Sequence, residues 1–479
     1  MASIARSVTL ARAIVRRLLG TARVTAFVLA MGAAMAPRLA AQALPRRVIL
    51  DTDGDGDYDA LVGLMLAAVS PEIDLRGVVV TGPEPERHAR AVAKALDLMG
   101  RPEVGVYRGE PPTSPRPSFD YFSQFPRRRY GMTPRLESWA ADFVAPAPAR
   151  RGVDFIRQEV MEHPGEVTVF VDGPLSTLAS AMTAADHDGF GDAFRRSLEQ
   201  IYFSGGDFGT SEYNVYADVG AAREVFGSGV PLYQFGGEGK PKAYFTHEYR
   251  EALWTAKTPA TWALQDYYRL YGAGWDPTSP FVPILYDAHL PAAFIRGDAI
   301  SEFRLMAVEV DDNGRLRAGR GESNVHSRVA DHPDQLLAFV QERLSDPIQP
   351  AANHLRALRR LCAAPECEAA VDALLADILH QRAPRGPELE RRLGQACSLA
   401  PAGDASRATR HAAMARDFIQ GQPRDRPWRD PYTSPVIAGY VLVLILARSK
   451  RLVVGVLAVA LAAAIVARRQ RSRRSRGPA

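Results

Sequence analysis

The chain has 479 residues, of which 47% are hydrophobic and 24% charged, which excludes a disordered chain and exceeds one ordinary domain. Seventeen basic residues and no acid lie within 1–47 and 448–479, so the +5 net charge leaves −12 on residues 48–447. The basic ends flank apolar runs and form no patch on a fold, which argues against nucleic acid as a partner.

The N-terminus reads as an export signal over residues 1–43. Arg6, Arg12, Arg16, Arg17 and Arg23 precede an apolar run, Val24 to Ala36, and Ala41-Gln42-Ala43 offers a small-x-small cleavage site. The rival reading is an uncleaved anchor.

Residues 44–345 alternate apolar β-branched runs with helix-like segments. Arg47–Leu50, Leu75–Val80, Val167–Val171, Ile201–Phe203 and Pro231–Phe235 read as strands. Ala60–Val69, Pro85–Met99, Leu175–Met182 and Gly220–Phe226 read as helices. The expected fold class is α/β, a mostly parallel open sheet with helices on both faces, binding its ligand at the carboxyl ends of the strands. Residues 111–150 read as an insertion or lid loop.

Residues 346–430 lack strand patterning and read as a helical appendage. Cys362, Cys367 and Cys397 allow one disulfide with one thiol left over, or three unpaired thiols. Residues 435–467 form a membrane-associated region, with one transmembrane helix expected at about 452–467 and a basic cytoplasmic tail at 468–479. Together the ends predict an exported protein anchored in the cytoplasmic membrane, its main domain outside the cytoplasm.

The chemistry is concentrated in Asp51-Thr52-Asp53-Gly54-Asp55-Gly56-Asp57-Tyr58-Asp59. Five carboxylates in nine residues repel one another unless a cation neutralises them, and all-oxygen donors suit Ca²⁺ or Mg²⁺. An EF-hand register fits Asp51, Asp53, Asp55, Gly56, Asp57 and Asp59, but Val62 stands where the bidentate Glu belongs and a strand precedes the loop. The other metal reading is an α/β site that takes further ligands from distant strands.

The acidic segment resembles the Asp-Thr-Asp-Ile-Gly-Gly-Asp-Ile-Asp-Asp-Ala motif of the inosine/uridine-preferring nucleoside hydrolases. Further elements follow in that family's order: Leu75–Gly82, Leu98–Val104, Gly173-Pro174-Leu175-Ser176-Thr177-Leu178, Gly205-Gly206, Glu212-Tyr213-Asn214 with Asp218, and Tyr286-Asp287. The resemblance spans residues 47–345. It implies a Ca²⁺-dependent N-glycosyl hydrolase of nucleosides or related ribosyl compounds, and allows a homo-oligomer. By this resemblance Asp53 binds the metal and serves as general base, while Asp57 or Asp59 completes the carboxylate cage. Ser176 gives its backbone carbonyl, Asp287 the far carboxylate, and Glu212 and Asn214 hold the ribose. Tyr286 stands where the family has a His that protonates the leaving group; Ala60 replaces one acid of an adjacent pair, and Pro83 an Asn. His289 is expected at the surface. The alternative is a catalytically impaired Ca²⁺-dependent ribosyl-binding module on the same fold.

Overall fold

The computed structural model describes residues 44–53, 58–81, 85–113, 150–236, 240–272, 282–382 and 384–421. The signal segment, Asp57, Pro83, most of the 111–150 insertion and the whole membrane-associated region and tail lie outside the described residues. Among the described residues, no helix is long and apolar enough to cross a membrane.

The central sheet contains β1 (Arg46–Thr52), β2 (Ile73–Val80), β3 (Gly105–Arg108), β4 (Val167–Val171), β5 (Leu198–Phe203), β6 (Leu232–Gln234), β7 (Ser301–Met306) and β10 (Val325–Asp331). Their order is β3-β2-β1-β4-β5-β6-β10-β7. All neighbours pair in parallel except β7, which runs antiparallel to β10 at the edge. A separate hairpin pairs β8 (Val308–Val310) with β9 (Leu316–Ala318). β1 and β4 are buried on both faces, which explains their unbroken runs Val48–Leu50 and Val167–Val171.

Helices cover both faces, giving two apolar cores. One core packs α3 (Gly152–Glu162), α4 (Ser176–His187), α5 (Gly191–Ser197) and α7 (Val219–Phe226); the short α6 (Tyr213–Tyr216) leads into α7. The other packs α1 (Tyr58–Val69), α2 (Pro85–Leu98), α8 (His247–Trp254), α9 (Pro259–Gly272), α10 (His289–Arg296) and α11 (Pro333–Ser345). α1 buries all its residues except Asp59, matching its lack of a polar stripe.

Four more helices follow: α12 (Ile348–Arg359), α13 (Pro365–Leu379), α14 (Pro387–Ser398) and α15 (Ala405–Gln420). Leu355, Leu358, Ala415 and Phe418 join the same apolar core as α1 and α2, so this segment shares a core with the α/β unit. Asn353 Nδ2 donates to the carbonyls of Ala68 and Met99 at 3.3 and 3.2 Å. His354 Nε2 donates to the Leu98 carbonyl at 3.0 Å and its Nδ1 accepts from His411 Nδ1 at 3.0 Å. Cys362 and Cys367 form a disulfide, leaving Cys397 as a free thiol.

Candidate active site

The strand order reverses between β1 and its two neighbours β2 and β4, the place where open α/β sheets leave a crevice at their carboxyl ends. The strand ends are laced side by side there. Asp172 N–H donates to the Asp51 carbonyl at 3.0 Å, Thr81 N–H to the Thr52 carbonyl at 2.8 Å, and Ser204 N–H to the Val171 carbonyl at 2.8 Å.

Acids from four chain segments lie at this end of the sheet. Asp51 lies near the end of β1 and Asp53 just after it, Asp59 is in the first turn of α1, Asp172 follows β4, and Asp287 precedes α10. Asp59, Asp172 and Asp53 each act electrostatically on Asp287. Two glycines permit the close approach. A Cβ on Gly63 of α1 would meet the Asp287 carbonyl at 3.2 Å, and one on Gly173 would meet the Asp53 backbone nitrogen at 2.8 Å. The carboxyl Oδ1 of Asp287 accepts from Ser204 Oγ at 2.8 Å.

Burial governs the charge of these groups. It raises Asp51 to about 7, opposed by the Thr81 hydroxyl. It raises Asp172 to about 8, opposed by the Thr52 hydroxyl and reinforced by the charges of Asp51 and Asp59. Asp287 is raised well above the usual range by burial, then by Asp59 and Asp172. For Asp51 alone the shift corresponds to about 4 kcal/mol against the ionised form, large beside a total stability of ~5–15 kcal/mol. A ring of such groups is held ionised only by added positive charge.

The residues present fit a hard divalent cation. The donors are all carboxylate oxygens, and the buried Asp51 Oδ2 and Asp172 Oδ1 have no hydrogen-bond partner among the described residues. The ring is open: among the described residues, the group whose ligand atoms close to within 4.8 Å of one another is Glu159, Glu162 and His163. There, Arg76 and Arg47 already occupy Glu159 at 2.6 and 3.5 Å.

Ser176 is the first residue of α4, and its Oγ donates to Asp218 Oδ2 at 2.8 Å. The acid that β4 brings to the ring is Asp172, four residues earlier, which sequence reasoning missed. Its signal was present: the Val167–Val171 run ends in an acid, as the first strand does.

Glu212 caps α6. Its carboxylate accepts from the backbone of Asn214 and Gly206 at 2.9 Å and of Val215 at 3.3 Å, and burial raises it to about 7 against those bonds. Asn214 Nδ2 donates to the carbonyls of Ser204 and Asp172 at 2.8 and 3.2 Å. Its buried Oδ1 has no partner among the described residues.

Burial raises the Tyr286 phenol, while Lys242 lowers it; Lys242 Nζ lies 5.9 Å from the ring centroid. His289, expected at the surface, is instead 1% exposed: its Nε2 lies 2.9 Å from Asp331 Oδ2, a partner that only the fold brings to it.

Comparison with known proteins places the sequence and fold. The chain is 33% identical over 204 residues to an uncharacterized protein of Schizosaccharomyces pombe, covering 39% of this chain and 59% of that one. It is 27% identical over 291 residues to the pyrimidine-specific ribonucleoside hydrolase RihB of Escherichia coli, covering 57% of this chain and 86% of the relative. A plant nucleoside hydrolase and the purine-preferring ribonucleoside hydrolase of Gardnerella vaginalis share the fold, with TM-scores of 0.52 and 0.51 and identities of 20% and 22%. Each match covers 63% of this chain, and 99% and 98% of those structures. The sequence profile described as inosine-uridine preferring nucleoside hydrolase matches residues 48–341, the stretch that supplies every acid of the ring. On that match and this geometry, the chain belongs to the inosine-uridine preferring nucleoside hydrolase family.

Proposed function

We propose that the protein hydrolyses the N-glycosidic bond of a nucleoside or related ribosyl compound, using Ca²⁺ held by Asp53, Asp59, Asp172 and Asp287. The observation that carries this reading is that Asp59 Oδ2 binds the Tyr286 N–H at 3.2 Å beside Asp287, and Gly173 packs on Asp53 beside Asp172, at the carboxyl ends of the strands.

When bound, the cation neutralises the acids and supplies Lewis acidity toward a water molecule. Asp53, at the mouth of β1, accepts that water's proton as general base. Asn214 Oδ1 accepts from a ribose hydroxyl, and Glu212 keeps Asn214 in place by capping its helix. Tyr286 donates its phenolic proton to the departing base, with Lys242 at its flank. The sugar carbon gains oxocarbenium character as the base leaves, and the neighbouring carboxylates stabilise that charge.

The reading includes export and tethering through the segment at about 452–467. The Cys362–Cys367 disulfide supports it, because such bonds persist in oxidising compartments.

The test is release of free base from a panel of purine and pyrimidine nucleosides by the full-length chain with calcium. Turnover that stops in Asp53→Asn and under chelation supports the enzyme. Calcium-dependent thermal stabilisation without turnover on any ribosyl compound would replace it with the binding module.

A further inference from the structure

Behind the Tyr286-Asp287 turn lies a buried polar chain that takes no part in the mechanism above. His289 begins α10. Its Nδ1 faces the carbonyls of Tyr286 at 2.9 Å and Leu285 at 3.1 Å. Its Nε2 faces both carboxylate oxygens of Asp331, at 2.9 and 3.1 Å. Both ring nitrogens therefore face groups that accept.

Asp331 ends β10 and is itself gripped. Its Oδ1 accepts from Ser301 Oγ at 2.8 Å and its Oδ2 from Arg328 Nη1 at 3.2 Å. Arg328 is buried too, and its Nη2 donates to the Gly236 carbonyl. Burial pushes Asp331 up, but the bond and charge of His289, the charge of Arg328 and the Ser301 bond outweigh it and hold its carboxyl below the usual range.

The turn is clamped from both sides. Leu285 N–H donates to the Ala243 carbonyl at 3.0 Å and Tyr286 N–H to Asp59 Oδ2 at 3.2 Å. His289 takes the carbonyls of the same two residues. The next residue is Asp287, whose Oδ1 accepts from Ser204 Oγ at 2.8 Å and whose carboxyl feels the charges of Asp59, Asp172 and Asp53.

We propose that Asp331 and Arg328, acting through His289, are positioning residues that aim the Asp287 carboxylate and thereby set the protein's affinity for a divalent cation. The inference rests on Asp287 being a cation ligand. Partners one step behind a ligand commonly change metal affinity by about 10–100-fold.

The experiment is calcium titration by calorimetry on the full-length chain, cation-free at the start, at pH 7.5. Asp331→Asn and His289→Gln are expected to bind calcium about 10–100-fold more weakly, with Asp331→Glu restoring part of the loss. His354→Gln, which removes a buried histidine remote from the ring, controls for lost stability and is expected to bind like the parent. If Asp331→Asn does not fold, His289→Gln carries the test alone. Parental affinity in the folded Asp331 and His289 variants, with binding lost in Asp287→Asn, overturns the inference and leaves the proposed function standing. An equal loss in His354→Gln overturns it as well. Parental affinity in Asp287→Asn overturns both readings.

Discussion

Oδ2 of Asp59 accepts the backbone N–H of Tyr286 at 3.2 Å, joining the first turn of α1 to a turn 227 residues later. One carboxylate thus organises the loop that carries the candidate proton donor and the far acid. Asp59→Asn keeps an acceptor for this N–H but removes the charge. It is expected to abolish calcium-induced stabilisation while leaving the cation-free melting temperature unchanged or higher, because repulsion within the ring falls. In the parent, calcium at 100 times its dissociation constant contributes about 2.7 kcal/mol. Scanning calorimetry with and without calcium reads both quantities, and a full calcium response in the variant would remove Asp59 from the site.

The raised acids give the cation-free protein an unusual pH dependence. Asp51 and Glu212 lie near 7 and Asp172 near 8, all raised first by burial. An unfolded carboxyl titrates near 4, so between 4 and 7 the folded chain holds protons that the unfolded chain has released. Their stabilisation is complete below about 4 and is lost as pH rises through 7 to 8. In chelator, the melting temperature is therefore expected to fall between pH 6 and pH 8, and saturating calcium to flatten that fall. A cation-free melting temperature that climbs across this interval would contradict the assignment.

Tyr286 and Lys242 predict a dependence on the leaving group. Tyr286→Phe is expected to lower kcat/KM on inosine or uridine by about 10²–10⁴-fold. A riboside whose leaving group is p-nitrophenol needs little protonation and should lose less than about tenfold. Lys242→Met should follow the same pattern more weakly. Equal losses on both substrate types would assign Tyr286 to binding.

The His354–His411 pair predicts acid sensitivity of the helical segment. Burial lowers His354 to about 4, partly offset by its bond to the Leu98 carbonyl, and the charge of Arg410 lowers it further. Unfolded histidine titrates near 6.5, so the unfolded chain takes up a proton first as pH falls. Stability from this group is full above about 6.5 and declines until about pH 4, by about 3 kcal/mol. His354→Gln is expected to melt at a lower temperature at pH 7.5 but to lose less between pH 7 and pH 4.5. An unchanged slope in calorimetric melts would show that this contact does not govern acid stability.

Parts of this architecture were legible before any coordinates. Val48–Leu50 and Val167–Val171 are unbroken apolar runs because both faces of those strands are covered. The edge strand β7 escaped notice because its alternation is interrupted, with Glu302, Arg304 and Leu305 exposed. α15 lies within the stretch read as helical, although its apolar stripe, mostly alanine, is a weak signal of periodicity. In the site, Asp172 was overlooked beside the Gly-Pro-Leu motif. His289 looked like a surface residue because its partner Asp331 lies 42 residues downstream.

Local chemistry in the amino-acid order was enough for the strand–helix alternation, the density of acids after β1 and the family pattern, since all three depend on neighbours in the chain. Side-chain pairing obeys distance in space. Which acids share a crevice, that Glu212 spends its carboxylate on backbone amides, and that His289 reaches Asp331 under the Asp287 turn were decided only when packing closed loops of up to hundreds of residues.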